Sequence, residues 1–251
     1  MRNIIFTLLF TLTTYANGVF YIQKSSGETV LENVVNNVLS TNTPVVGQTY
    51  TANGQNYAFK TSTNSDVTVA FSNDVFIKVK ESAHITLDNF DQTFVNTNSL
   101  PEKVKYETYS KSLSLIEGEL DVYSNQGGNS ESISTINTKL ASIILSKGKF
   151  VVQADDRTTV IIVLEGSAVI LDNSSKRKEN VKANQTVVIV PAPKFQGRGV
   201  DTMRRGNIFS IKETVNGDAE SYLLGVNAVV EDSKNVRFCI IDKNVRGIKI
   251  N

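Results

Sequence analysis

The sequence predicts an all-β protein, and three observations carry that prediction. Short runs of β-branched and aliphatic residues recur: Leu113–Ile116, Leu120–Val122, Ala141–Leu145, Phe150–Val152, Val160–Leu164, Ala168–Leu171 and Thr186–Val190. Each has the length of a strand and is too short for a helix that must bury one face. The breaks between them are Glu117-Gly118-Glu119, Lys147-Gly148-Lys149, Glu165-Gly166-Ser167 and Asn184-Gln185. They put glycine or asparagine where a tight reversal makes positive φ useful. The spacing is also near-regular, with 30 residues from Gly118 to Gly148, 18 from Gly148 to Gly166 and 18 from Gly166 to Asn184. Such spacing predicts a solenoid-like stack of short strands, in which parallel stacking lets apolar runs such as Val160–Leu164 continue unbroken. A β-sandwich uses equally short strands at similar turn spacing and stands as the alternative.

Taken in order, the chain opens with Arg2, an apolar run from Ile4 to Tyr15, and Thr14-Tyr15-Ala16. A positive start, an apolar run and a small-residue site predict an export signal over 1–16, with the mature chain beginning at Asn17. The run of about 12 apolar residues is short of the roughly 20 that span a bilayer, and no later stretch is apolar enough to cross. The expected place of the product is the periplasm or the cell exterior. In the segment 17–44, Val30, Leu31, Val34, Val35, Val38 and Leu39 fall on helical spacing and predict a short helix ended by Pro44.

Val45–Tyr50 begins the strand-rich part. Asn64–Asn73 and Asp74–Lys80 alternate with period two on either side of Ser72-Asn73, as a hairpin or as consecutive solenoid strands. Ile85–Phe90 is a further strand, and Asp91–Lys105 and Ser124–Ser132 are polar loops. After Pro191 and Pro193 comes a basic, glycine-rich connector holding Arg204-Arg205. Ile208–Ile211, Tyr222–Val230, Val236–Ile241 and Ile248–Ile250 then predict a C-terminal β meander, with Asn216-Gly217 as its hairpin turn. That meander would be a second small domain or a cap on an exposed sheet end.

Composition limits the chemistry. Lysine and arginine number 26 against 25 acidic residues, so no overall field draws the chain to nucleic acid. Tryptophan is absent, which weakens any stacking platform for sugars or bases. Cys239 is the one cysteine, so no internal disulfide can form, and its apolar run reads it as a small buried hydrophobe. His84 is the one histidine, so a zinc site would lack its commonest second ligand and any His-based triad would have to use it; a turn position is the simpler reading.

Asp155-Asp156 and Glu231-Asp232 are adjacent acids with no calcium-loop pattern around them. Lys176-Arg177-Lys178 and Arg204-Arg205 are local basic clusters of the kind usual in solvated turns. Asn173 and Asn184 begin glycosylation sequons that matter only in a eukaryotic secretory route. No phosphate-binding loop, dinucleotide fingerprint or nucleophile elbow occurs. The residues thus assign no catalytic, cofactor or metal position.

Three stretches resemble the FecR-like domain of bacterial envelope proteins. Thr61–Asn73 followed by Val75–Val79 and Ser82 is similar to the family's opening strands, and Leu115–Leu120 to its first glycine turn. Ile136–Leu140, Gly148–Val151 and Val163–Ser167 are similar to its central pattern of threonine, glycine with a nearby phenylalanine, and an apolar strand entering a glycine turn. The family's glycine-threonine-x-phenylalanine stands here as Gly148-Lys149-Phe150, and Asn184-Gln185 replaces the last glycine.

The resemblance implies a β-rich, solenoid-like module over 45–193 with a C-terminal β extension or cap over 194–251. Gly118, Gly148, Phe150 and Gly166 would be structural turn residues, and the family offers no catalytic residue to carry over. Members that act as anti-sigma regulators resemble a cytoplasmic helical domain, one membrane span and a periplasmic β region, of which this chain is expected to hold the last. The implied work is that of an exported, non-catalytic binding or scaffold module contacting an envelope protein or polysaccharide. Two alternatives stand beside it. One is a periplasmic signalling partner. The other is a polysaccharide-acting enzyme, which requires acids such as Asp155, Asp156, Glu165 and Asp172 to converge.

Overall fold

A computed structural model describes residues 15–35, 38–52, 56–94, 106–125, 133–192, 206–214, 216–241 and 244–249. The first strands are β1 (Tyr15–Asn17), β2 (Val19–Ser26), β3 (Thr29–Val35), β4 (Val38–Asn42), β5 (Thr49–Thr51), β6 (Asn56–Thr61), β7 (Asp66–Phe71), β8 (Val75–Val79) and β9 (His84–Phe94). The long β10 (Tyr106–Ser124) follows, then β11 (Ile133–Asn137), β12 (Ala141–Leu145), β13 (Gly148–Ala154), β14 (Thr159–Glu165), β15 (Ser167–Asp172), β16 (Lys178–Lys182) and β17 (Gln185–Val190). The chain ends with β18 (Ile208–Glu213), the helix α1 (Asn216–Ser233), β19 (Val236–Ile241) and β20 (Asn244–Lys249).

The strands form two ladders that share β10. One runs β4-β3-β6-β9, continues through the first half of β10, and ends β11-β12-β15-β16, with β1 also paired to β9. The other runs β5-β2-β7-β8, continues through the second half of β10, and ends β13-β14-β17-β18. Among the described residues β10 with β11 is the parallel pair, and the other pairs are antiparallel. The parallel stacking expected of the apolar runs is therefore not how they pair.

One apolar cluster fills the space between the ladders. Leu31, Phe59, Leu113, Ile143 and Ile170 enter it from the first, and Phe20, Phe71, Leu120, Phe150, Ile161 and Val187 from the second. Period-two alternation selects these residues: in β12, Ala141, Ile143 and Leu145 are buried while Ser142 and Ile144 are half-buried.

The glycine breaks lie at passages between ladders rather than at hairpin reversals. At Gly118 (φ +99°) β10 stops pairing with β9, through Glu117 and His84, and starts pairing with β13, through Gly118 and Ala154. A β-carbon at residue 118 would lie 2.4 Å from that of Ala83. Gly148 carries the chain from β12 to β13, and Gly166 carries it back from β14 to β15. Phe150 is a fully buried core residue one strand step beyond Gly148. Asn184 supplies left-handed backbone (φ +62°) between β16 and β17 without a glycine, which asparagine tolerates. The reversal expected at Ser72-Asn73 is a true hairpin joining β7 to β8.

Several element assignments differ from the sequence reading. Val30–Val35 and Val38–Leu39 are not helical: β3 and β4 pair there, because β-branched valines lose less as strand residues and β6 offers β3 a second edge. Asp91–Phe94 belongs to β9 rather than a loop, and Val45–Val46 precede the short β5 as exposed residues.

The C-terminal part is not an unbroken meander. Tyr222–Val230 lies inside α1, so Asn216-Gly217 opens a helix instead of turning a hairpin. The outer face of the second ladder decides this, because Val226 and Val229 are fully buried against it and Tyr222 joins the same contact. β19 and β20 do form a hairpin, and Val236 and Phe238 pack on Val19, Tyr21, Ala70 and Phe76. Of the expected export signal over 1–16, residues 1–14 lie outside the described residues, as do Arg204-Arg205 and the side chain of Cys239, while Tyr15-Ala16 begin β1. No helix among the described residues is long and apolar enough to cross a membrane.

Candidate functional site

The four acids that a polysaccharide-acting site would need are each committed to local contacts, and Glu165 lies at the opposite end of β14 from Asp155 and Asp156. Asp155 caps its own β13–β14 turn, accepting from the N–H groups of Arg157 at 2.6 Å and Thr158 at 2.7 Å. Asp156 is exposed and pairs with Lys139 at 2.7 Å, an interaction that holds its carboxyl below the ordinary value. Both line a shallow cleft with Ile116, Glu117 and Arg157. Glu165 stands at the far end of β14, about 20 Å along the strand from that turn, and pairs with Lys149. Among the described residues no group of three His, Cys, Asp or Glu is arranged to hold a metal ion.

Asp172 is a structural anchor. It is fully buried and accepts from the Ser174 N–H at 3.0 Å, the Asn207 N–H at 3.0 Å, the Asn207 Nδ2 at 2.7 Å and the Ser175 hydroxyl. Burial pushes its carboxyl up, but the bonds from Ser175, Ser174 and Asn207 outweigh burial and hold it below the ordinary range. These contacts tie the start of β18 to the β15–β16 turn. Asp172→Ala should cost about 2 kcal/mol at pH 7, since it leaves several buried donors unpaired. A folded value below the unfolded one places this stability above the unfolded value, to be lost as pH falls through the folded one. Denaturation at pH 7 and at pH 3 should accordingly show the gap between the two proteins narrowing in acid.

The other polar candidates are committed to local contacts. Arg177 pairs with Glu179 and lies 5.5 Å over the Phe209 ring, while Lys176 is exposed in the β15–β16 connection and Lys178 is exposed at the start of β16. Asn173 donates to the Thr138 carbonyl at 2.9 Å. Asp232 pairs with Lys24 and Glu231 with Lys234 at the end of α1. His84 opens β9, half-buried, where burial and Lys60 hold its imidazole below its ordinary value against Glu32 and Glu117.

Two buried charged residues were not singled out from the sequence, and both lie on β10. Lys111 points into the core, 2% exposed, with its Nζ 3.6 Å from the centre of the Phe71 ring and no hydrogen-bond partner. Burial pushes its amine well below the usual lysine value. Around that end of the core, Asn73 Nδ2 donates to Ser134 Oγ at 3.2 Å and Ser72 Oγ to Gln92 Oε1 at 2.5 Å, while Asn73 Oδ1 and Ser124 Oγ have no partner. Asp121 faces the other way, under α1, and is 1% exposed. Phase was the available signal: Lys111 is in step with Leu113 and Leu115, and Asp121 is out of step with Leu120 and Val122.

A cleft beside α1 completes the picture, with Val160, Ile162 and Val188 as its floor and Thr186, Lys212, Thr214 and Tyr222 around it. Residues 57–169, from β6 into β15, match the family model described as FecR protein. Over that stretch the chain is similar to a FecR domain. The same residues include Gly118, Gly148, Phe150 and Gly166 together with both buried β10 charges, whereas β16 to β18, α1 and the terminal hairpin follow them.

Two crystal structures from Parabacteroides distasonis ATCC 8503, each of a candidate anti-sigma factor, are similar in shape. One is 11% identical with a TM-score of 0.45, over 67% of this chain and 65% of that chain. The other is 10% identical with a TM-score of 0.46, over 78% of this chain and 100% of that chain. The chain thus spans just under two thirds, 65%, of the first of them. No curated protein matches the chain.

Proposed function

We propose that the chain is an exported, non-catalytic binding or scaffold module built on its FecR-like domain, working in signalling at the bacterial envelope. The carrying observation is the family match over residues 57–169, which takes in the middle strands of both ladders, while the core also draws on Phe20, Leu31, Ile170 and Val187 beyond it. Its partner would be an envelope protein or a polysaccharide. The separation of Asp155 and Asp156 from Glu165, and the use of Asp172 as an anchor, favour binding over hydrolysis. We further read the ladders as two layers of a sandwich rather than as a parallel solenoid, because antiparallel pairs dominate and both ladders feed one core.

A crosslinked pull-down with the chain from Asn17 onward against envelope extract of its own source tests this reading. One recurrent protein partner is expected for a signalling module. Recovery of glycan alone would move the reading to an envelope-polysaccharide binder and call for a hydrolysis assay. Recovery of neither would overturn it.

A further inference from the structure

Helix α1 lies across β8, β10 and β13 on the outer face of the second ladder. Asp121 lies beneath it. Between the core-facing Leu120 and Val122, its side chain must leave on the outer face, and yet it is 1% exposed. Its Oδ1 has no hydrogen-bond partner. Its Oδ2 lies against the helix at Gly225, where a β-carbon would sit 2.7 Å from it. Glycine at 225 is what lets the helix backbone settle on the carboxyl group.

The charged neighbours leave Asp121 uncompensated. From β8 and the residue after it come Lys78 and Lys80, but Lys78 pairs with Asp66 at 3.0 Å and Lys80 pairs with Glu119. From β10 comes Glu119, a like charge. From β13 comes neutral Gln153, whose Nε2 donates to Glu119 at 2.6 Å and to the Tyr222 hydroxyl at 3.3 Å. From α1 comes that Tyr222. A charged carboxylate here is desolvated without a donor of its own, an arrangement that disfavours whatever covers it.

We propose that α1 is a proton-linked latch, closed over the second ladder when Asp121 is protonated and loosened when that carboxylate carries charge. Burial lifts the Asp121 carboxyl to about 6, with Lys80 opposing, Glu119 adding and Lys78 opposing. Release of the helix returns it to water and to an ordinary value of about 4. The closed form then holds its proton more tightly, so closure is favoured in acid, weakens as pH rises from about 4 to about 6, and levels off above that. The closed-to-open ratio should fall about tenfold between pH 5 and pH 7. The released segment would not stay helical, because Gly225, Asn227 and three valines over 226–230 make a poor isolated helix. Opening would uncover Val151, Ile162 and Leu164. The latch does not depend on which partner the domain binds.

Hydrogen exchange of the full chain, read by mass spectrometry and corrected for intrinsic pH dependence, tests it. Protection over 216–233 should fall about tenfold from pH 5 to pH 7, while β13 and β14 keep theirs. In Asp121→Asn, which preserves the shape of the protonated group, α1 should stay protected at pH 7 with no slope. Gly225→Ala should leave α1 poorly protected at every pH without altering the titrating group. A flat wild-type profile, or the same slope in Asp121→Asn, would overturn the proposal.

Discussion

Lys111→Met should make the protein more stable at pH 7, by about 1–3 kcal/mol, read as a raised urea midpoint with an unchanged slope. Methionine keeps nearly the volume of the lysine stem and removes an amine that has no hydrogen-bond partner in the core. The competing term is the Phe71 ring 3.6 Å from the nitrogen, which would favour an ammonium by about 0.5–2 kcal/mol. Desolvating an ammonium costs several kcal/mol, so burial wins and pushes the amine well below the usual lysine value. The folded value lies below the unfolded one, so wild-type stability is complete above the ordinary lysine value of about 10.4 and is lost as pH falls from there toward the folded value. Methionine has no such slope, and the advantage of the variant should shrink toward alkaline pH. A variant less stable than wild type would mean that the amine has a partner worth more than its burial costs.

The same β10 shows what a sequence makes legible. Alternation predicts strands, and it also predicts which face each residue takes, so the inward Lys111 and outward Asp121 were readable by phase. What phase cannot tell is whether an outward face is covered. Asp121 looks like a solvated strand residue until α1 is placed on it, and α1 itself reads as a strand, since Tyr222–Val230 holds valine and leucine in a run that suits either period. The helix follows from the ladder beneath it, which accepts Tyr222, Val226 and Val229 on one stripe.

At 30–39 the opposite exchange occurs. Valines on helical spacing become β3 and β4, because β6 provides an edge with which to pair. The glycine breaks were legible as special positions, but whether a break reverses the chain within a ladder or passes it to the other depends on which partner the next strand finds. That partner is distant in sequence for Gly118, whose following residues pair with both β8 and β13. The family's short motifs were readable because they sit at these passages, where backbone shape restricts residue choice.

Gly166→Ala should be the most damaging single-methyl change in the domain, costing about 3 kcal/mol or more and lowering the thermal midpoint accordingly. Residue 166 has φ +83°, and a β-carbon there would lie 2.0 Å from the Lys147 carbonyl oxygen and 3.1 Å from the Gly148 Cα. Those neighbours are backbone on the facing passage, where Gly148 in turn would place a β-carbon 2.1 Å from the Glu165 carbonyl oxygen. Neither passage can give without dragging β12, β13, β14 and β15 out of register, so the contact cannot be relieved by a rotamer change. Left-handed backbone alone costs alanine about 1–2 kcal/mol. Gly47→Ala isolates that part, because residue 47 has φ +90° and a β-carbon there meets only the Tyr21 hydroxyl, at 4.0 Å. The difference between the two variants in urea denaturation measures how tightly the passages at Gly148 and Gly166 are pressed together. Equal losses would mean that the passages separate easily and that the paired glycines serve backbone conformation alone.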